Sequence, residues 1–424
     1  MLAVENLNNR VLVSDDKNKF YNFSNLLYLT AGLVLIFLSP LFFLIFVGIL
    51  SPVFDARFRY LFSIPVLIVA ISFYASLQPF SDLAEYINVY HQVNNGLIDI
   101  FAYPRFGYGV EILILVIMKC VGYLSNGNDQ ALLVAIYGII FSYIFLICRK
   151  INSRFGLMLF CTVFLSLGFM ESLSYFLRQN LSVVLFLYGV FCVKNRKLRW
   201  VYFCLSFMSH ISAIVNIGVY LFAKTYGKKI DNVQRIIKAL VLFLLIAGML
   251  VVFLYFSPVG KLLFDKTLNV ISNSQYSLLP LPYVMVTTVN LFIILFFIRK
   301  IEQRNIVVYF LLIKEIFMFY FTLPFPAVPN RLGMILFSYP AVFLFVIYAS
   351  EQSRKVLYCK NVVFLLVNLV PFLYAMSVIE RKGNDYTFFN NKPITSNIYQ
   401  IGDYFSHSLL DGIHYLNNGN NSSQ

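Results

Sequence analysis

The chain has 424 residues, of which 60% are hydrophobic and only 12% are charged, with 45 Phe and 29 Tyr. This composition excludes a soluble globular protein and indicates a polytopic membrane protein. The net charge of +14 lies mostly in short loops between apolar runs. It therefore points to membrane topology rather than to nucleic-acid binding.

Apolar runs follow one another along most of the chain and predict an all-α, polytopic transmembrane bundle. A spanning helix needs about 20 residues, and several runs are shorter or broken. We therefore expect about 11–12 spans, with short or re-entrant helices near residues 108–124 and 199–223. The runs lie at 26–50, 60–77, 108–124, 131–148, 155–170, 172–193, 198–222, 235–257, 281–298, 306–323, 332–350 and 361–379.

The polar ends of the chain set the predicted domain boundaries. Residues 1–25 form a polar leader, residues 26–379 the transmembrane domain, and residues 380–424 a polar tail rich in Asn. We treat the chain as one membrane domain, and no internal repeat of the transporter kind is visible in it.

Basic residues cluster in five loops, which the positive-inside rule places in the cytoplasm. The first two loops frame residues 155–193, so this stretch is predicted to be a hairpin with its outer turn near Glu171. Only about 25 residues join the second and third loops, so residues 199–223 should enter and return as two short helices that turn near Ser209-His210. The loops are Arg149/Lys150/Arg154, Lys194/Arg196/Lys197/Arg199, Lys224/Lys228/Lys229/Arg235, Arg299/Lys300/Arg304 and Arg354/Lys355/Lys360.

The N-terminal third leaves two topologies open. The segment 78–107 is poor in Lys and Arg and looks external, but three spans at 60–77, 108–124 and 131–148 would then put the basic residues after 148 outside. Either 108–124 packs into the outer leaflet without crossing, or segment 78–107 is cytoplasmic.

Glu171, Arg178 and Gln179 interrupt the apolar stretch from 155 to 193. A charged side chain at the bilayer centre costs about 2.5–3.5 kcal/mol on insertion scales, so it usually faces a partner, a ligand or water. On one continuous helix, Glu171 and Arg178 would share a face, because seven residues make almost two turns. They are either a structural ion pair or one wall of an anion-binding site.

Four more polar residues are predicted on the same outer side: His210, Arg331, Asp82 and Arg105. Arginines suit a phosphate-bearing ligand because guanidinium groups pair bidentately with phosphate oxygens. Each residue also has a simpler interpretation. His210 could pack between helices, Asp82 could cap an interfacial helix, Arg331 could snorkel to the interface, and Arg105 could be an ordinary loop residue. Tyr86 is interpreted as part of an aromatic interface belt.

Five short motifs lie in order between about residues 80 and 340. They are Asp82…Tyr86…Tyr90, Gly107-Tyr108…Glu111, Arg178-Gln179-Asn180-Leu181, Phe207-Met208-Ser209-His210-Ile211-Ser212-Ala213 and Asn330-Arg331. In this order and spacing, the chain resembles the EpsG/Wzy-type polysaccharide polymerases of bacterial inner membranes.

The resemblance implies a multi-pass inner-membrane enzyme that transfers glycans on the periplasmic face. The sugar hydroxyl of a lipid-linked repeat unit would attack the anomeric carbon of a growing glycan on undecaprenyl pyrophosphate, and the lipid pyrophosphate would leave. We expect these lipid-linked substrates, membrane lipid and a chain-length regulator as partners, with no nucleic acid, cofactor or metal. The candidate catalytic residues are Asp82, His210 and Glu171, and the candidate pyrophosphate ligands are Arg178, Gln179, Arg331 and Arg105.

Two other functions remain open from the sequence. An O-antigen ligase uses the same donor and is chemically close. A lipid-linked oligosaccharide flippase would show two related halves and charges on both sides of the midplane, whereas the predicted charges crowd one side.

Overall fold

The computed structural model describes residues 23–77, 82–101, 103, 110–227, 238, 241, 278–296, 305–325, 328–347, 354–382 and 392–400. Within these ranges the chain is helical and contains no strand, which confirms the predicted all-α class. Some predictions lie outside the described residues. They are the leader up to residue 22, Arg105, the basic segments 228–235 and 299–304, most of the run at 235–257, and the tail from 401.

The described helices are numbered here in chain order. They are α1 (Phe23–Leu38), α2 (Pro40–Leu50), α3 (Ala56–Ala75), α4 (Asp82–Asn94), α5 (Leu113–Ser125), α6 (Asp129–Ile151), α7 (Gly156–Phe164), α8 (Leu167–Tyr175), α9 (Leu177–Phe191), α10 (Arg196–Ser209), α11 (Ala213–Tyr226), α12 (Leu281–Phe296), α13 (Ile306–Phe321), α14 (Pro329–Leu332), α15 (Met334–Ser338), α16 (Pro340–Ile347) and α17 (Arg354–Lys382).

The bundle has two ends that differ in charge. Helix α9 leads away from Arg178, α10 returns to His210, and α11 runs back to Lys224. We call the end with Arg178 and His210 the polar end. The opposite, basic end carries Arg149, Lys150, Arg154, Lys194, Arg196, Lys197, Arg199 and Lys224.

Contacts between distant segments define the basic end. The Cys192 thiol lies 3.8 Å from the carbonyl oxygen of Leu146, which brings the ends of α9 and α6 together. Arg154 donates from Nε to the carbonyl oxygen of Pro52 at 3.0 Å, which adds the end of α2. The basic residues at the end of α6 and those just after α9 are therefore neighbours in the fold, although they are separate in sequence.

The predicted turn inside residues 199–223 is confirmed. Helix α10 ends at Ser209 and α11 begins at Ala213, so the turn consists of His210, Ile211 and Ser212. Both helices have 14 residues, which is about 21 Å at a rise of 1.5 Å per residue. The turn therefore lies at the polar end and returns the chain to the basic end.

Helices α4 and α5 form a layer at the polar end, and α5 does not cross the bundle. Lys119 donates to the carbonyl oxygen of Val93 at 3.1 Å, and the Tyr90 hydroxyl lies 3.2 Å from that of Ser125. Helix α3 ends and α6 begins at this same end. Of the two alternatives left open by the sequence, the structure agrees with the one in which this segment does not cross, and the basic residues after 148 lie at the basic end. The placement of α5 in the outer leaflet stays a prediction.

Several predicted runs are broken rather than continuous. The run at 26–50 breaks at Ser39, where the serine hydroxyl accepts from the N–H of Phe42 and Pro40 starts the next helix. The run at 332–350 breaks at Gly333 and again at Tyr339. Helices α7 and α8 meet at an angle of 65°. Serine caps and proline at the first helical position favour such restarts.

Long single spans are few among the described helices. By length and composition, three of them could cross a membrane: Ala56–Ala75, Asp129–Ile151 and Lys355–Arg381. The bent pair α7–α8 would be a fourth, and further apolar helices have between 10 and 17 residues. Since part of the chain lies outside the described ranges, the total of about 11–12 spans stays a prediction.

An aromatic cluster joins the helices below the polar end. The Tyr74 ring lies 5.5 Å from Phe141 and 5.4 Å from Phe164, and Phe169 lies 5.5 Å from Tyr339. All five rings are buried. Tilted and edge-to-face aromatic pairs contribute about 0.5–1.5 kcal/mol beyond the burial of their area. This cluster holds α3, α6, α7 and α8 against the segment after α15.

The closest approach between backbones in this region is at Gly168. A Cβ atom added there would lie far inside van der Waals contact with the carbonyl oxygen of Phe337, whereas one added at Gly138 would lie 3.9 Å from the Ile71 side chain. We expect Gly168→Ala to lower the stability of the detergent-purified protein by about 1–3 kcal/mol. Gly138→Ala, the matched control, should be neutral or stabilising by up to about 1 kcal/mol. Thermal unfolding measures both, and equal melting temperatures would contradict the close approach.

His91 of α4 and Asp129 of α6 connect the polar layer to the bundle. Their Nε2 and Oδ1 atoms lie 2.9 Å apart, and this contact with the Asp129 carboxylate raises the pKa of His91 above 6.5, although burial opposes the shift. The stabilisation is therefore complete below about pH 6.5 and is lost as the pH rises through the raised pKa. Compared with His91→Gln, the wild type should be more stable at pH 6, by no more than about 1 kcal/mol because the pair is partly exposed. This advantage should vanish at pH 9 in thermal unfolding. A stability difference between the wild type and His91→Gln that does not change with pH would contradict the ion pair.

Candidate active site at the polar end

The break between α8 and α9 is stabilised by Asn180. Its Nδ2 donates to the carbonyl oxygens of Ser172 at 2.8 Å and Phe176 at 3.1 Å, and its Oδ1 accepts from the Tyr339 hydroxyl at 2.7 Å. Both carbonyls also accept from backbone N–H groups, those of Phe176 and Asn180, so the Asn180 side chain adds a second donor to each and connects the two sides of the break. The break needs no glycine or proline as a result, and it places the start of α9 at the polar end.

Arg178 is the second residue of α9 and is held by two partners from distant parts of the chain. Its Nε donates to the Tyr86 hydroxyl at 3.0 Å, and Nη1 forms an ion pair with Glu111. The Arg178 side chain is 14% exposed and that of Glu111 only 5%. Tyr86 is itself buried, so its interpretation as an interface-belt residue is wrong. These two contacts fix the guanidinium plane.

Glu111 also binds the turn between α10 and α11. Its Oε1 accepts from the backbone N–H of Ile211 at 2.9 Å and lies 3.9 Å from Nε2 of His210. The carboxylate therefore connects Arg178 to the histidine turn. A buried carboxylate is tolerated when its charge is paired and its oxygens accept hydrogen bonds, and Glu111 meets both conditions.

His210 has a defined orientation. Its Nδ1 accepts from the backbone N–H of Ser212 at 3.2 Å and lies 2.8 Å from the Ser212 hydroxyl. A ring nitrogen that accepts from a backbone N–H carries no proton, so the neutral ring has its proton on Nε2. This Nε2–H points towards Glu111 and the polar end. It can donate to an oxygen that approaches there.

Gln179 and Arg331 extend the site on its other side. Gln179 donates from Nε2 to the backbone carbonyl of Arg331, and the Arg331 guanidinium lies 4.9 Å from the centre of the Phe176 ring. A cation over an aromatic face is stabilised by about 0.5–2 kcal/mol. The break at Phe176 thus positions both arginines, one through its helix and one through its ring.

Comparison with known proteins identifies the family of this chain. The model of the EpsG family matches residues 57–390. The chain belongs to the EpsG family. This is a polysaccharide polymerase-type family, so the chain has a polymerase-like membrane function. No curated protein and no solved structure matches the chain significantly.

The residues that sequence reasoning selected in this EpsG-family chain are only partly brought together. Arg178 and His210 meet through Glu111, and Asp82 at the start of α4 interacts electrostatically with Arg178. Gln179 and Arg331 lie beside them. Glu171, in contrast, accepts from the Tyr283 hydroxyl of α12 at 2.9 Å. Arg105 lies outside the described residues, and its role stays a prediction.

The predicted shared face of Glu171 and Arg178 is wrong. The two residues stand on different helices, because the chain breaks at Phe176. The ion pair on Arg178 comes instead from Glu111, 67 residues earlier in the chain. Sequence reasoning treated Glu111 as part of the family pattern and gave it no role. The feature that could have revealed its role is its position close to an apolar run, where a charged residue usually has a partner.

Sequence reasoning also missed a buried ion pair behind Arg331. Lys314 and Glu315 of α13 are 2% and 0% exposed and form an ion pair with each other. Lys314 donates to the carbonyl oxygen of Leu332 at 3.3 Å, and Glu315 accepts from the N–H groups of Ile335 at 2.9 Å and Leu336 at 3.2 Å. The pair therefore satisfies the backbone on both sides of the break at Gly333.

This pair is expected to fix the short helix that carries Arg331. Glu315→Gln keeps an oxygen acceptor for the first turn of α15 but leaves Lys314 buried without an anion. We expect it to lower stability by about 3–5 kcal/mol. The double variant Lys314→Met/Glu315→Gln removes both charges and should recover most of the loss. Thermal unfolding of the purified proteins measures the difference, and equal losses in both variants would contradict a role for the charge pair.

Proposed function

We propose that this EpsG-family protein joins lipid-linked oligosaccharide repeat units into a surface polysaccharide, as a glycosyltransferase of undecaprenyl-pyrophosphate-linked substrates. The observation that carries the proposal is the cluster around Arg178. Its guanidinium is held by Tyr86 and Glu111, with His210 on the same carboxylate and Arg331 beside the same helix break. A fixed arginine with a second cation nearby suits a diphosphate.

The charge difference between the two ends supports a periplasmic site. Basic residues from the ends of α6, α9 and α11 lie together at the basic end. The positive-inside rule places that end in the cytoplasm. The polar end then faces the periplasm of a bacterial inner membrane, where the lipid pyrophosphate of the donor lies at the membrane surface.

In the proposed reaction, the acceptor hydroxyl attacks the anomeric carbon of the donor glycan. A new C–O bond forms, the bond from the anomeric carbon to the pyrophosphate breaks, and the pyrophosphate leaves with the electron pair. Negative charge grows on the leaving oxygen, and cations that are already in place stabilise it without reorganising. Arg178 and Arg331 take this role, while Gln179 positions the Arg331 backbone.

The proton of the acceptor hydroxyl needs a base. Asp82 is our first candidate, because it lies at the start of α4 near Arg178, and Glu171, held by Tyr283, is the second. Glu111 accepts from Arg178 and from the Ile211 backbone, so it orients the cluster rather than acting as base. His210 would donate from Nε2 to a phosphate or sugar oxygen. Arg105 would assist the pyrophosphate from the neighbouring segment.

The decisive test replaces Arg178 in a strain whose surface polysaccharide depends on this protein. Arg178→Lys keeps the charge but cannot bond Tyr86 and Glu111 in the same plane, and Arg178→Ala removes the cation. We expect both to reduce polymerisation at least about 100-fold, since the lost interaction acts on the developing charge. The glycan ladder on a gel should collapse to a single repeat unit while membrane protein levels are maintained.

Arg381→Ala is the matched control. Arg381 is exposed, and its side-chain hydrogen bonds go to Ser377 one turn earlier in α17 rather than to a residue of the cluster, so its ladder should be normal. Because Arg178→Ala also leaves Glu111 buried without a cation, misfolding is a second route to lost activity. The double variant Arg178→Gln/Glu111→Gln removes both charges of the pair, so it should reach normal membrane levels while polymerisation is still lost. Loss of all glycan, including the single unit, would favour a flippase or a ligase. An unchanged ladder would overturn the proposed site.

A further inference from the structure

A cavity at the basic end, remote from the polar cluster, has the features of an anion site. It has a volume of about 250 Å³ and lies between α10 and α11. This is smaller than the roughly 300–1,000 Å³ of pockets for drug-sized ligands. Its lining residues are Arg196, Arg199, Trp200, Phe203, Tyr220, Leu221, Lys224 and Thr225. Three of them are cationic, and none of these described lining residues is acidic.

Arg199 is fixed in the cavity wall by the backbone. It donates to the carbonyl oxygens of Gly189 at 3.0 Å and Val193 at 2.6 Å, and to the Tyr220 hydroxyl at 2.9 Å. The two carbonyls belong to the last turn of α9 and the residues just after it, where the helix dipole favours a cation. The charge is therefore held in place before any ligand arrives, which reduces the entropy lost on binding.

Tyr220 brings a second cation to the same place. The Arg199 guanidinium and the Lys224 ammonium each lie 5.9 Å from the centre of its ring. Arg196, in the first turn of α10, adds a third positive charge to the cavity lining. Like charges that line one small cavity repel one another. An anion between them would relieve that repulsion.

The surroundings of the cavity favour a lipid over a soluble anion. Leu198 and Val201, on the neighbouring turns of α10, are 48% and 50% exposed, and Leu221 in the lining is 37% exposed. Trp200, the single tryptophan of the chain, is also exposed and packs edge-on against Phe203. Exposed aliphatic groups beside a tryptophan and several basic residues are typical of the interface between lipid headgroups and acyl chains.

We propose that this cavity binds the phosphate headgroup of an acidic phospholipid in the leaflet at the basic end. The phosphodiester lies between Arg196, Arg199 and Lys224, and the acyl chains run along the exposed aliphatic face of α10. The bound lipid neutralises the converging cations and ties α10 to α11. This site is separate from the polysaccharide chemistry proposed for the polar end.

Trp200 provides the test, because its fluorescence can be excited where tyrosine does not absorb. The full chain, purified in a neutral detergent, is titrated with short-chain phosphatidylglycerol, with phosphatidylcholine of the same chain length and with inorganic phosphate. We expect a saturable change with phosphatidylglycerol only. The double variant Arg196→Gln/Lys224→Gln should weaken its binding by about tenfold or more, since each basic residue near a lipid surface contributes about a factor of five.

The matched control is Lys194→Gln/Lys197→Gln, which removes two exposed cations of the same loop outside the cavity lining. Its affinity for phosphatidylglycerol should stay within about twofold of the wild type. Three results would overturn the proposal. They are equal responses to phosphatidylcholine, binding of inorganic phosphate with the same affinity, or equal weakening in both double variants. Thermal unfolding without lipid verifies that each variant is folded.

Discussion

The buried ion pair between Arg178 and Glu111 is the constraint on which the arrangement of the polar end depends. Removing one partner of such a pair costs about 3–5 kcal/mol, because the other charge stays buried without compensation. To complete the pair, the chain brings together the start of α9 and the segment before α5. The same carboxylate binds the Ile211 backbone in the turn between α10 and α11. The start of α9, the segment before α5 and the turn between α10 and α11 therefore meet at this carboxylate.

The helix breaks follow a second rule, which concerns backbone hydrogen bonds. A broken helix exposes N–H and C=O groups that need partners where water is scarce. Asn180 donates a second hydrogen bond to the Ser172 carbonyl near the end of α8, and Glu315 accepts from N–H groups in the first turn of α15. Each break is therefore supported by a buried polar side chain from the chain itself. This explains why buried Asn, Lys and Glu occur in segments whose composition is otherwise apolar.

The sequence predicted those features that are set by length and charge. The turn at Ser209-His210 was predictable, because two basic loops lie too close together in sequence for two full spans. The break at Phe176 was not predictable, because no glycine or proline marks it and the asparagine beside it is held by the distant Tyr339. The ion pair between Arg178 and Glu111 was not predictable for a related reason. Residues 67 apart become neighbours only if α5 fails to cross the bundle, which the sequence left open. Lys314 and Glu315 could have been noticed, since two adjacent charges inside an apolar run require partners.

The mixture of charges at the polar end bears on how a polymerase could release its product. Arg178 and Arg331 supply two positive charges, and the dipole at the start of α9 adds to them. Glu111 and Asp82 supply two negative charges close by. A cluster of arginines alone would bind the substrate diphosphate and the departing diphosphate with similar strength, and uniformly tight binding does not speed the chemical step. With the carboxylates present, the net charge of the four groups is close to zero. Attraction then depends on the direction of each guanidinium rather than on the total charge. In the proposed reaction, this favours the geometry in which negative charge develops on the leaving oxygen, and it allows the lipid diphosphate to leave afterwards.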